Sequence, residues 1–224
     1  MSRRGLIITI IWCGVALGAA VLCYFFPLFQ VKPIDDDGSV RQPRANVSAP
    51  VNVTDYADEL WNDRLPDAFG NAVDIEELFE AVDRDAGQAR NKLARQVGLG
   101  GACFLFVRGS GHVEDVAADY CTLKIGGQSR QVRIRIEVVV GNAVRDSTGL
   151  VDVNQFANSQ DFNNLSAQLN RRVETHVIAP SRESLRVGVR VGFVGCARVS
   201  DDRDFDPLSL VPVHLDIVDP QVQP

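Results

Sequence analysis

The densest run of side chains able to do chemistry is Gly141-Asn142-Ala143-Val144-Arg145-Asp146, continuing through Gly149, Asn154, Phe156, Asn158 and Phe162. Arg145 carries a planar fork of donors that suits a carboxylate or a sugar hydroxyl, and Asp146, Asn154 and Asn158 add further acceptors and donors. On one reading these four residues form a polar pocket for a small ligand or glycan. A second reading needs no ligand. Arg145 pairs with a buried carboxylate, and the asparagines cap the helix that follows. Val144 to Val153 reads as extended chain, in which adjacent Arg145 and Asp146 point to opposite faces.

Other constellations are sparser. His112 and Cys121 fall on neighbouring predicted strands with Asp115 nearby, the raw material of a Cys–His–Asp arrangement, but no nucleophile elbow accompanies them. His112, His176 and His214 are far apart and lack the H-x-x-x-H or C-x-x-C spacing that zinc sites use. Gly98 to Gly101 lacks the lysine and following helix of a phosphate loop. No catalytic residue, metal or cofactor is therefore expected. Of the three cysteines beyond residue 30, Cys103 and Cys121 flank a predicted hairpin and form the candidate disulfide; Cys196 completes an odd count.

The elements that would position these groups change period along the chain. Tyr56, Ala57, Leu60 and Trp61 recur at helical spacing after Thr54, a predicted N-cap, and Pro66 interrupts them. Asp74 and Glu77 form a capping box ahead of Ile75, Leu78, Phe79 and Val82. Ala86, Ala89, Leu93 and Val97 make a third stripe that ends at Gly98. These helical faces are expected to pack on the strands that follow. From Gly100 the period is 2. Ala102 to Val107 and Val113 to Val116 read as strands joined across Gly109-Ser110-Gly111, and Cys121 to Ile125 as the next. Gln131 to Val140 alternates most clearly, with Val132, Ile134, Ile136 and Val138 inward. A helix from Ser159 to Val177 buries Phe162, Leu165, Leu169, Val173 and Val177. Val187 to Phe193 and Val211 to Ile217 alternate again. His214 falls on the outward face of that last strand.

That order gives an α+β chain with an OB-like antiparallel β-barrel and one helix between its strands. The expected domains are a signal anchor or transmembrane helix (1–30), a linker (31–52), a helical region (53–98) and the barrel (99–224). The anchor rests on 24 uncharged residues from Leu6 to Phe29, where about 20 suffice to cross a bilayer core. Arg3 and Arg4 precede it, which leaves the N-terminus cytoplasmic and exports the rest across the bacterial inner membrane. Leu22 before Cys23 and Trp12 before Cys13 are bulky for a lipidation site, so an uncleaved anchor is the leading expectation, with cleavage at Gly18-Ala19-Ala20 or atypical lipidation as the alternatives. The exported part carries 21 of the 23 basic residues and all 29 acidic ones, a net charge of −8. That balance disfavours nucleic acid as a partner.

A succession of short pieces resembles the predicted periplasmic lipoproteins of domain of unknown function 2291. The pieces are Val31-Lys32-Pro33-Ile34, Tyr56 to Trp61, Ala72-Val73-Asp74, and Gly100-Gly101 leading to Phe104-Leu105-Phe106-Val107-Arg108-Gly109-x-Gly111. Gly141-x-Ala143-x-Arg145-Asp146, Asn154-x-Phe156-x-Asn158, Leu169-Asn170 and Val211-Pro212-Val213 follow in the family's order. The resemblance implies an envelope protein encoded beside sugar ABC transporters, with no activity attached. The leading expectation is a non-enzymatic, membrane-anchored periplasmic accessory of such a transporter, contacting its sugar-binding protein or permease. The alternative is the glycan-binding module at Arg145, Asp146, Asn154 and Asn158.

Overall fold

The structure, a computed structural model, describes residues 51–98 and 102–218. The anchor at residues 6–29 and nearly all of the linker lie outside the described residues. No helix among those described is long and apolar enough to cross a membrane. The described residues fall in one compact unit, so the helical region and the strands share a core.

Helix α1 (Val53–Glu59) starts at Asn52, whose side chain accepts the amides of Thr54 and Asp55; the cap lies two residues before the expected Thr54. It runs on through a wider turn at Leu60–Arg64 and a last turn at Leu65–Asp67 that holds Pro66. After β1 (Val73–Asp74), helix α2 (Ile75–Leu93) is capped by Asp74, which accepts the Glu76 amide at 2.9 Å. The helix breaks at Asp85, where the backbone turns extended, and the Asp85 carboxylate accepts the Gln88 amide to restart it. It stops at Leu93. Arg95–Gln96 then forms β2, so the third helical stripe ends earlier than its pattern suggests.

The remaining strands are β3 (Cys103–Val116), β4 (Tyr120–Lys124), β5 (Gln131–Arg135), β6 (Arg190–Val199) and β7 (Leu208–Val218). Pairing runs β3–β4–β5–β7–β6, and β6 pairs back to β3, so these five strands form a closed cycle. Only β5–β7 is parallel within it, while β1 and β2 add to β3. Leu105, Val107, Leu123, Val132, Ile134, Val191 and Leu210 project into the interior and are fully buried, as a period of 2 requires.

Three strand expectations are corrected. Gly109-Ser110-Gly111 is no turn: β3 passes straight through it. Gly109 is there because Ile75 of α2 presses on it; a Cβ would collide with the Ile75 side chain and sit 3.2 Å from Phe193. At Gly111 a Cβ would lie 2.6 Å from the Lys124 carbonyl. β5 ends at Arg135 rather than continuing to Val140, and Val138 is 62% exposed while Val139 is buried. Beyond Arg135 the chain leaves its strand neighbours and is held by side chains. The Val139 amide donates to Glu174 at 2.7 Å, and Arg182 donates to the Ile136 carbonyl. Finally, the last strand pair begins at Arg190, and Val187 is exposed.

The disulfide expectation also fails. Cys103 sits opposite Val199 at one end of β3, whereas Cys121 is a buried thiol opposite Val116 at the other. A disulfide needs Cα atoms within about 7 Å, far less than a 14-residue strand spans.

Between β5 and β6 lie α3 (Ala143–Ser147) and α4 (Ser159–Arg172). The helical path continues through a wider turn at Val173–Ile178 and Ala179–Ser181. Leu165, Leu169, Val173 and Val177 are buried along this helix, as the 3.6-residue pattern predicts. Helix α1 packs against α4. Arg172 pairs with Asp58 at 2.6 Å, and Tyr56, Phe156 and Phe162 stack edge to face with centroids 5.3 and 5.4 Å apart.

Candidate functional site

Arg145 and Asp146 lie on α3, not on a strand. In a helix, neighbouring side chains are separated by about 100° rather than 180°, so the two can turn toward each other. They do. Arg145 Nε donates to Asp146 Oδ1 at 2.7 Å and a terminal nitrogen donates to Oδ2 at 3.0 Å, a bidentate pair only 7% and 5% exposed. The other Arg145 nitrogen donates to the Phe162 carbonyl at 3.0 Å, and the guanidinium lies 3.7 Å from the Phe162 ring centroid. Asn142 completes the carboxylate's shell by donating to Oδ2.

This corrects the four-residue pocket. Arg145 and Asp146 satisfy each other with little exposure to solvent. Asn154 turns back on Asp152, with its backbone and side-chain amides both 2.9 Å from Oδ1. Asn158 caps α4, accepting the Asp161 amide at 2.8 Å and donating back to the Asp161 carboxylate. The reading that needs no ligand describes Arg145, Asp146 and Asn158, whereas Asn154 caps no helix and binds Asp152 instead.

Beside the pair runs an open groove of about 800 Å³, walled by 139–142 and by one face of α4 and its continuation. Asn163, Ser166, Asn170 and Glu174 line it at helical spacing, with Arg171 and Thr175 alongside. Asn170 uses one amide hydrogen on the Gly141 carbonyl at 2.9 Å, and Glu174 uses one oxygen on the Val139 amide. The Ser166 hydroxyl is buried and has no hydrogen-bond partner among the described residues. Its usual acceptor in a helix is the carbonyl four residues back, here Phe162, and Arg145 already occupies that oxygen. Arg145 is balanced by Asp146, and Arg171 by Glu174 on the same wall. The groove therefore presents hydroxyl and amide groups with no net formal charge. Sequence inspection passed over this polar stripe because it shares the helix with the apolar stripe, which reads as core.

The nucleophile arrangement is not assembled. His112 stands opposite Lys124, three residues along β4 from Cys121, and its Nδ1 faces the Gly188 carbonyl at 3.5 Å. Burial, with the Asp115 charge adding to it, pushes the Cys121 thiol up to about 11. Burial pushes Cys196 up to about 12. Neither is a thiolate at neutral pH. His214 is exposed beside the Phe69 ring, with centroids 5.4 Å apart.

The fold is similar to that of a solved OB-fold protein from Thermotoga maritima, determined at 1.90 Å, with a TM-score of 0.66 and 23% identity. The likeness covers 75% of this chain and 99% of that one. No curated protein matches this chain. The family model for predicted periplasmic lipoproteins (DUF2291) matches residues 19–216, from within the N-terminal apolar run to the last strand, and the chain belongs to that family.

Proposed function

We propose that this protein is a non-enzymatic periplasmic module, tethered to the inner membrane by residues 6–29, that assists a sugar ABC transporter by contacting its binding protein or permease. The observation that supports the periplasmic, membrane-associated part of the reading is the match of residues 19–216 to the family of predicted periplasmic lipoproteins. The groove beside α4 supports a docking role through the exposed Asn163, Arg171 and Thr175 side chains that line it. Buried, protonated thiols favour recognition over covalent catalysis.

The test places a photo-reactive residue at Asn163 or Arg171 in intact cells, with exposed Glu80 on α2 as the control position. Recovery of a sugar-binding protein or permease from the groove positions alone is the expected result. No product above background, or equal products from Glu80, would sink the contact.

The tether has a second reading, favoured by the family's description: lipidation at Cys23 after cleavage. Leu22 before Cys23 favours the intact anchor. The intact mass of the purified chain separates them. Retention of residues 1–22 supports the anchor, and a shorter, acylated chain beginning at Cys23 refutes it.

A further inference from the structure

A second polar cleft lies away from the groove, on the outer face of β4, β5 and β7. It encloses about 220 Å³ and is bordered by Asp119, Tyr120, Arg133, Arg135, Pro207 and Ser209. Arg133 and Arg135 are two residues apart on β5 and share its outer face, because Val132 and Ile134 point inward. The register sets neutral residues around them. Arg133 stands opposite Thr122 on β4 and Ser209 on β7, and Arg135 stands opposite Tyr120.

Neither arginine has a carboxylate partner among the described residues, in a chain whose net charge is −6. Arg130, three residues earlier, pairs with Asp83 at 2.8 Å. Asp206, the acid nearest in sequence to Pro207, is engaged by the Gln131 amide at 3.2 Å. Arg133 is also held in place: its guanidinium lies 4.5 Å from the Tyr120 ring centroid, which fixes the plane of its donors. Its Nε is buried and has no acceptor among the described residues. A charged donor is seldom left so, because taking it out of water without a partner is costly.

We propose that Arg133 and Arg135 form a binding site for a small oxyanion, a carboxylate or phosphate group, held by the guanidinium nitrogens that face the cleft and that no carboxylate of the described residues engages. Guanidinium forks recognise both groups through paired hydrogen bonds, and the Ser209 hydroxyl adds a neutral donor at the cleft edge. Asp119 borders the cleft too, which leaves one formal positive charge in excess and predicts that this carboxylate weakens binding. The site is independent of the transporter reading, since it uses none of the groove residues.

The test follows thermal unfolding of the full chain in neutral detergent, titrated with sodium phosphate, sodium acetate or sodium chloride at matched ionic strength. A saturable rise of the midpoint with phosphate or acetate, and none with chloride, is expected; the stronger response identifies the group. Arg133→Gln and Arg135→Gln should each weaken the response at least tenfold. Asp119→Asn should strengthen it and Arg130→Gln leave it unchanged. A response equal to that of chloride, or one that persists in both glutamine variants, overturns the proposal. Should those variants fold poorly, the Nε–Hε NMR signal of Arg133 in the unaltered protein decides. It moves on titration if the site binds, and a stationary signal at saturating phosphate and acetate refutes binding.

Discussion

Removing Asp146 tests whether the Arg145 pair belongs to the fold or to a ligand. In Asp146→Ala the Arg145 guanidinium, 7% exposed in the native chain, loses two hydrogen bonds, at 2.7 and 3.0 Å. Its remaining acceptors are the Phe162 carbonyl at 3.0 Å and the Asn163 side chain at 3.4 Å, both neutral. Breaking a buried pair from one side costs about 3–5 kcal/mol. For a domain of this size that corresponds to a fall in the unfolding midpoint of roughly 6–20 °C. Arg145→Met should cost less than Asp146→Ala, because it frees the Phe162 carbonyl to accept the Ser166 hydroxyl. The double variant Arg145→Met/Asp146→Ala removes both charges and should cost less than the sum of the singles by about 1–3 kcal/mol. Guanidinium unfolding of the full chain in detergent, followed by far-ultraviolet circular dichroism, measures all four corners of the cycle. A cost below about 1 kcal/mol for Asp146→Ala, within the range of an exposed pair, would show the pair to be dispensable. Additive single costs would do the same. Either result would return Arg145 to the ligand-binding reading.

Other outcomes follow from the packing. Gly109→Ala forces a methyl group into Ile75 and toward Phe193; equilibrium unfolding should show a loss of about 1–3 kcal/mol, and an unchanged midpoint would mean that α2 does not press on β3. Ser166→Ala removes a buried hydroxyl with no partner among the described residues, so the same assay should show a gain of about 1 kcal/mol; a loss of that size would reveal a partner for the hydroxyl in solution. Cys196, raised from its ordinary 9.0 to about 12 by burial, should resist iodoacetamide at pH 8 until the chain is denatured. Because its folded value lies above its unfolded one, the stability it confers is complete below about pH 9 and is lost as pH rises toward about 12. Alkaline unfolding should therefore ease over that window in the native chain and less so in Cys196→Ala; identical profiles would show that the thiol does not set the slope.

Much of the architecture is legible in residue order, because it follows from local periods. The apolar stripe Leu165, Leu169, Val173 and Val177 specifies a helix face. The alternation of Val132 and Ile134 specifies a strand, and their order with the later strands specifies the similarity to an OB fold. Asp74 and Asn158 announce helix starts through side chains that reach their own amides, a contact within three residues. The N-terminal apolar run and the acidic balance are also legible in the sequence, as sums over composition.

What tertiary structure alone decided involves contacts between distant residues. A Gly-Ser-Gly triplet is a turn or a straight strand according to whether a helix crosses it, and Ile75 is more than thirty residues away from Gly109. Val138 points outward because Glu174 and Arg182 draw the chain off its strand, reversing a perfect alternation. Arg145 and Asp146 meet because five residues coil where the pattern reads extended, and that pairing converts a ligand-like motif into core. The groove follows from the same event. Once Arg145 holds the Phe162 carbonyl, the Ser166 hydroxyl has no acceptor among the described residues, and no local rule along the chain encodes which donor reaches a carbonyl first.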